Sequence, residues 1–196
     1  MLTQAFWTSL RILAFRAGPE DLPYDVSGKL SRVCWIFALL SFTSLFALIL
    51  PVAPALFGAL IAVVSIWLVT RGVLRLRGLQ NREQQTLNAL LLSNALLTLL
   101  MIPVFAQLAP VFLELFNQLK AHPELSNTPD QWPQPPAAAA VLIDFLGLWQ
   151  LVVCTRIFSV ATGGGTLRGI GMTLLSIAAM LLLIILLAPV LAIFVS

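Results

Sequence analysis

Long uncharged apolar runs, punctuated by short clusters of arginine, organise this chain from end to end. The longest lies between Arg32 and Arg71 and holds 38 residues, Val33 to Thr70. As helix it would measure about 57 Å at about 1.5 Å per residue, nearly twice a hydrocarbon core of about 30 Å. It must therefore fold back on itself. Leu50-Pro51-Val52-Ala53-Pro54 marks the bend, because each proline removes a backbone donor and pushes its predecessor toward an extended conformation. The pattern predicts a tight hairpin of two spans, 33–50 and 54–70.

The next uncharged run, Gln84 to Leu113, has 30 residues, one span with a surplus in which Pro103 and Pro110 sit. A third span over 86–107 follows, and then a separate short helix, Val111 to Leu119. Its apolar residues Phe112, Leu115, Phe116 and Leu119 recur at helical spacing and suit an interfacial position. That helix belongs to an outer loop, 111–136, which continues through the proline-rich KAHPELSNTPDQWPQPP. Spans four and five are expected over 137–158 and 171–195, joined by a turn containing Gly163, Gly164, Gly165 and Arg168.

The expected fold is an all-α membrane protein, a five transmembrane helix bundle with an N-terminal amphipathic interfacial helix, in one domain over 1–196. In the N-terminal segment 1–32, Leu2, Phe6, Trp7, Leu10 and Leu13 share a broad helical face opposite Gln4, Thr8 and Arg11. A frayed terminus is the other reading of these residues. Arg11 and Arg16 interrupt the first apolar stretch, so no cleavable signal peptide is expected.

Composition agrees with the pattern. Hydrophobic residues make up 60% and charged residues 10%, with a mean hydropathy of +0.99, against about 45–50% and about 25% in soluble domains. Too few charges remain to cover a water-facing surface, which excludes an ordinary soluble enzyme, a disordered tail and a disulfide-rich scaffold. Position matters more than the net charge of +3. Of 11 basic residues, only Lys120 falls in a predicted outer segment. The others are Arg11, Arg16, Lys29 and Arg32, then Arg71, Arg75, Arg77 and Arg82, then Arg156 and Arg168. By the positive-inside rule the N-terminus is cytoplasmic and the C-terminus outside. The basic balance gives no reason to expect nucleic acid; the expected partners are the lipid bilayer and other membrane proteins, a second copy included.

Chemistry is sparse. The one histidine, His122, precedes Pro123 in the outer loop, which leaves no histidine-based triad or multi-histidine metal site. No nucleophile–base pair is in view, and no cofactor, catalytic residue or metal site is expected. Cys34 and Cys154 lie inside apolar runs and read as buried fillers. Trp35 and Trp67 read as belt anchors and Trp149 as a packing residue. Gly163-Gly164-Gly165 lacks the lysine and strand-to-helix context of a phosphate loop. It reads as a turn, with Gly165 and Gly169 spaced for close helix approach.

Two constellations remain inside the membrane. Asp144 lies about 10 Å beyond Ala137, where an ionisable group is a functional candidate. Thr98 is its candidate partner, with Thr43 and Ser44 nearer the midplane. A headgroup position, a structural hydrogen bond and a substrate or proton site stay open for Asp144. Asn94 and Gln150 fall at similar depths from opposite directions and form a polar pair that reads as interhelical glue. In front of the first span, Pro19, Glu20, Asp21, Pro23 and Tyr24 form a short, semi-rigid, locally acidic segment carrying the single tyrosine. It suits a docking site for a partner, or a lead from the interfacial helix into the first span.

The order of these features resembles the Yip family, five-span membrane proteins named for interaction with Rab-type GTPases and including bacterial relatives. The matching residues are Pro19-Glu-Asp-Leu-Pro-Tyr24 before the first span, Phe145-Leu-Gly-Leu-Trp-Gln-Leu151 in the fourth, and Val160-Ala-Thr-Gly163 before Thr166-Leu-Arg-Gly169 and a long apolar fifth span. The longer N-terminal domain of the eukaryotic members and their Tyr-Gly-Pro type motif have no counterpart here. The resemblance implies a non-enzymatic scaffold, adaptor or assembly factor for other membrane proteins. A bacterial inner membrane fits the outer loop, where Asn127 is followed by Thr128-Pro129. The alternative function is a small transporter or channel subunit using Asp144 as an intramembrane acid.

Overall fold

The uncharged runs fold into helices that extend beyond the runs themselves. The computed structural model describes residues 1–122 and 132–195, with side chains up to residue 187. Part of the outer loop, Asn127 included, lies outside the described residues. The helices are α1 (Leu2–Leu13), α2 (Lys29–Phe46), α3 (Val52–Leu76), α4 (Glu83–Ala121), α5 (Ala137–Thr162) and α6 (Gly165–Val195). Among the described residues there is no strand. Five helices, α2 to α6, are long and apolar enough to cross a membrane. The chain is an all-α, multi-pass membrane bundle.

Arginine ends an apolar run without ending a helix, since it is a good helix former. Thus α3 continues past Arg71 to Leu76, and α2 begins at Lys29 rather than Val33. At the hairpin the order is shifted. Helix α2 stops at Phe46, residues 47–50 turn, and Pro51 leads into α3 at Val52. Pro54 falls in the first turn of α3, where a missing N–H costs little.

The third span departs furthest from expectation. Helix α4 runs unbroken for 39 residues through Pro103 and Pro110 and absorbs the segment 111–119 expected as a separate interfacial helix. Packing outweighs the two lost hydrogen bonds. Met101, Val104, Leu108 and Ala109 are buried on both sides of Pro103 and up to Pro110. Phe105 stacks on Phe112 at 5.7 Å, bridging Pro110. At about 1.5 Å per residue α4 is about 58 Å long and outruns its neighbours.

Around the bundle, α2 packs on α3, α3 on α6, α6 on α5, α5 on α4, and α4 back on α2. The five spans therefore form a ring, with α3 also touching α4. Gly163 ends α5 at φ 58°, and Gly165 opens α6 at φ 74°, both conformations that favour glycine. Of the two glycines expected to bring helices together, Gly169 alone does so. A Cβ on it would overlap the Thr155 carbonyl oxygen of α5, whereas one on Gly165 meets open space.

Helix α1 forms as expected, but its buried side does not coincide with the predicted apolar face. Ala5, Thr8, Ser9, Ile12 and Leu13 are buried, while Leu2, Phe6 and Trp7 are exposed together with Gln4 and Arg11. Small residues let two helices approach closely, so Ala5 and Ser9 go against the bundle and the aromatic residues face outward. Leu10, Leu13 and Ala14 line an open groove together with Leu97 and Leu100 of α4 and Phe145 of α5. The helix therefore leans along the sides of α4 and α5, about 20 Å along α4 from Glu83.

Candidate functional site

After α1 the chain reverses at Phe15, a non-glycine residue at φ 59°. Two contacts hold it there: its ring lies 5.1 Å from that of Trp149, and the Arg156 guanidinium sits 5.3 Å above it. The following segment, 17–25, is a folded strap. The Gly18 N–H donates to Asp21 Oδ2 at 2.8 Å and closes a 3-10 turn over Pro19–Asp21. Two glutamines at the start of α4 then clamp it. Gln85 Nε2 donates to the Leu22 carbonyl at 2.8 Å, and Gln84 Nε2 to the Asp25 carbonyl at 2.8 Å.

This clamping sorts the predicted contact residues. Pro19 is buried and Pro23 partly buried, with Leu22 and Asp25 buried beside them. Glu20, Asp21 and Tyr24 are exposed, and Val26 just beyond the strap is 91% exposed. Beneath the strap a cleft of about 270 Å³ runs between Pro19, Glu20, Arg82 and Ala161. Arg82 also donates to the Ala161 carbonyl at 3.2 Å, tying the start of α4 to the end of α5. Sequence reasoning missed Gln84 and Gln85. The only signal was their polarity at the start of an apolar span, which any solvated helix end shares.

Asp25 anchors the start of α2. Its carboxylate accepts from the Ser27 hydroxyl at 2.6 Å and from the backbone N–H groups of Ser27 and Leu30. The Ser27 hydroxyl bond is the main reason its pKa lies below the usual carboxylate value, with burial pulling the other way and the backbone donors lowering it further. A carboxyl with a depressed folded-state pKa stabilises the fold above its unfolded value of about 3.9 and loses that contribution as pH falls through the folded value. Asp25→Asn is therefore expected to lower the thermal unfolding temperature at pH 7. The gap to the parent chain should begin to narrow below about pH 4 and close as pH falls through the folded value, as read by differential scanning fluorimetry in detergent.

Within the bundle, the expected Asn94–Gln150 pair is present. Gln150 Nε2 donates to Asn94 Oδ1 at 2.5 Å, and Asn94 Nδ2 donates to the Leu90 carbonyl at 2.7 Å. Cys154 Sγ lies 3.4 Å from Asn94 Nδ2 and joins the pair as more than a filler. These side chains and Thr98 border a cavity of about 280 Å³ to which all five spans contribute.

Asp144 is placed elsewhere. It is exposed on the outward side of α5 beside Val141, Phe145 and Leu148, and it makes no hydrogen bond or ion pair among the described residues. Its candidate partner Thr98 is 1% exposed and faces the cavity, so the two are not brought together. Thr43 is not brought to it either; its hydroxyl is buried without a partner. A carboxyl without a partner on an apolar face contributes nothing to folding, so Asp144→Leu is expected to leave the unfolding temperature unchanged or raise it. A fall would reveal a hydrogen bond to Asp144.

Among the described residues no group of histidine, cysteine, aspartate and glutamate is arranged to hold a metal ion. No protein-family model, curated protein or solved structure matches the chain. What fold and site together define is a class: a five-span membrane bundle with a polar centre and a clamped strap at its arginine-rich end.

Proposed function

We propose that this chain is a non-enzymatic scaffold or adaptor of the Yip type, a factor that organises other membrane proteins from the inner membrane, with its N-terminus cytoplasmic and its C-terminus outside. The observation that carries the reading is the strap. Gln84 and Gln85 hold its backbone, so that Glu20, Asp21 and Tyr24 stand exposed in a fixed arrangement. Pre-organisation of this kind lowers the ordering cost of binding. An exposed tyrosine in the same short strap as two exposed acids, Glu20 and Asp21, suits a partner presenting basic and apolar residues. Orientation follows from the basic residues, which cluster at the ends of the predicted spans nearest the strap.

The alternative, a small transporter or channel subunit using Asp144, needs that carboxyl to face a pathway. It faces outward on α5 instead. The adaptor reading is tested by placing a photoreactive phenylalanine analogue at Tyr24 of the full chain in cells, with Val141 on the outer face of α5 as the reference position. A discrete crosslinked protein at Tyr24 and not at Val141 is the expected result. Identical, diffuse products at both positions would remove the basis for the strap as a contact surface.

A further inference from the structure

The partly open cavity bordered by all five spans has an uneven wall. Phe42 and Phe46 of α2, Phe158 of α5, and Ile177 and Met180 of α6 make most of it apolar. No charged side chain lines it. Of its polar residues, Ser65, Thr173 and Ser176 spend their hydroxyls on carbonyls of their own helices: Ile61 at 2.7 Å, Gly169 at 3.1 Å and Met172 at 3.1 Å. Asn94 is likewise occupied on both its nitrogen and its oxygen.

Two groups are left over. The Thr98 hydroxyl, on a residue only 1% exposed, has no hydrogen-bond partner among the described residues. The Gln150 side chain uses its Nε2 on Asn94, and its carbonyl oxygen accepts from no described residue. Thr98 lies one helical turn from Asn94 on the same face of α4, so both leftover groups belong to one polar spot in an otherwise apolar chamber. Both residues line the cavity, where an occupant with a matching polar group supplies the hydrogen bonds they lack. An occupant that suits both parts of the wall has an apolar body and a neutral polar end.

We propose that the cavity binds the head of a neutral single-chain lipid ending in a hydroxyl, a long-chain alcohol. One hydroxyl satisfies both leftover groups, donating to the Gln150 carbonyl oxygen and accepting from the Thr98 hydroxyl, while the first carbons of the chain fill the space between Phe42, Phe158 and Ile177. At about 280 Å³ the chamber holds the head and the start of a chain rather than a whole lipid. The absence of lining charge disfavours a fatty acid anion or a phosphate headgroup, whose desolvation would go uncompensated.

The test uses the full chain in nanodiscs and a diazirine-bearing hexadecanol as probe, with the labelled residues mapped by mass spectrometry. Labelling within α4 and α5 at buried cavity-lining residues such as Leu90 and Phe158, competed by unlabelled hexadecanol, is the expected result. The double variant Thr98→Val with Gln150→Leu should lose about tenfold or more of that labelling. Ile177→Trp, which fills the chamber from the opposite wall and keeps the polar spot, should abolish it, so the outcome does not depend on the double variant folding well. Labelling confined to outward residues such as Val141 and Leu148, or cavity labelling unchanged in both variants, would overturn the proposal.

Discussion

Gly169→Ala is expected to destabilise the protein more than any other single methyl addition at a spanning glycine. The new Cβ would overlap the Thr155 carbonyl oxygen, a backbone atom that cannot swing aside, and Ser159 crowds the same space. The hydroxyls of Thr155 and Thr173 meet at 3.2 Å across the same contact, so moving α6 away sacrifices that bond as well. Overpacking of this kind costs about 1–3 kcal/mol. In a chain of this size each kcal/mol moves the unfolding temperature by about 2–4 °C, and a drop of about 2–12 °C is the expected reading. Gly147→Ala is the matched control. It also sits within a helix, a Cβ there meets nothing, and alanine is the better helix former. It should leave the temperature unchanged or raise it. Equal behaviour of the two variants would show that α5 and α6 do not approach at Gly169.

The second large effect is expected from Gln84→Ala combined with Gln85→Ala. Each glutamine supplies a 2.8 Å hydrogen bond to the strap backbone, and a typical bond of this kind is worth about 1 kcal/mol net. Losing both removes about 2 kcal/mol of strap ordering, more than tenfold in the population of the clamped state. Hydrogen exchange at the Gly18, Asp21 and Leu22 amides, which are hydrogen-bonded within the strap, should quicken accordingly while the spans stay protected, and partner crosslinking through Tyr24 should fall by a similar factor. Unchanged exchange in the strap would mean that the burial of Pro19 and Leu22 holds it without the glutamines.

How far the sequence was a guide depends on which signal each element used. Five spans were legible because missing charges over the runs from Val33, Gln84 and Gly171, and a single one, Asp144, in the run from Ala137, are a direct trace of hydrocarbon. Helix ends were less legible, because Arg71 and Arg75 leave the membrane pattern while remaining good helix residues. Pro103 and Pro110 misled for a different reason. Their local cost is real, but the burial of Met101, Val104 and Leu108 around them is a tertiary fact that no local pattern carries. Helix α1 was legible as an amphipathic helix, but the burial of Leu13 and of the small residues Ala5 and Ser9 against the bundle depends on neighbours that no local pattern shows.

The candidate site was half legible. Asn94 and Gln150 were paired correctly by counting depth from opposite sides, which works when both helices are straight. Depth says nothing about azimuth, and Asp144 and Thr98, placed at one level by the same counting, face different directions. The strap was noticed for its prolines and its tyrosine, but the residues that hold it came from the far side of two spans. Contacts at that separation arise only once the ring of helices closes.

Partner capture with the strap intact and with the strap replaced tests the central claim most directly. The tagged full chain is crosslinked in cells, purified in mild detergent and compared by mass spectrometry with the same chain carrying a glycine–serine sequence over 17–25. A reproducible membrane or cytoplasmic partner, present with the native strap and lost with the replacement while the protein still inserts, is the predicted result. The same partners with both chains, or no protein but the chain itself with either, would contradict it.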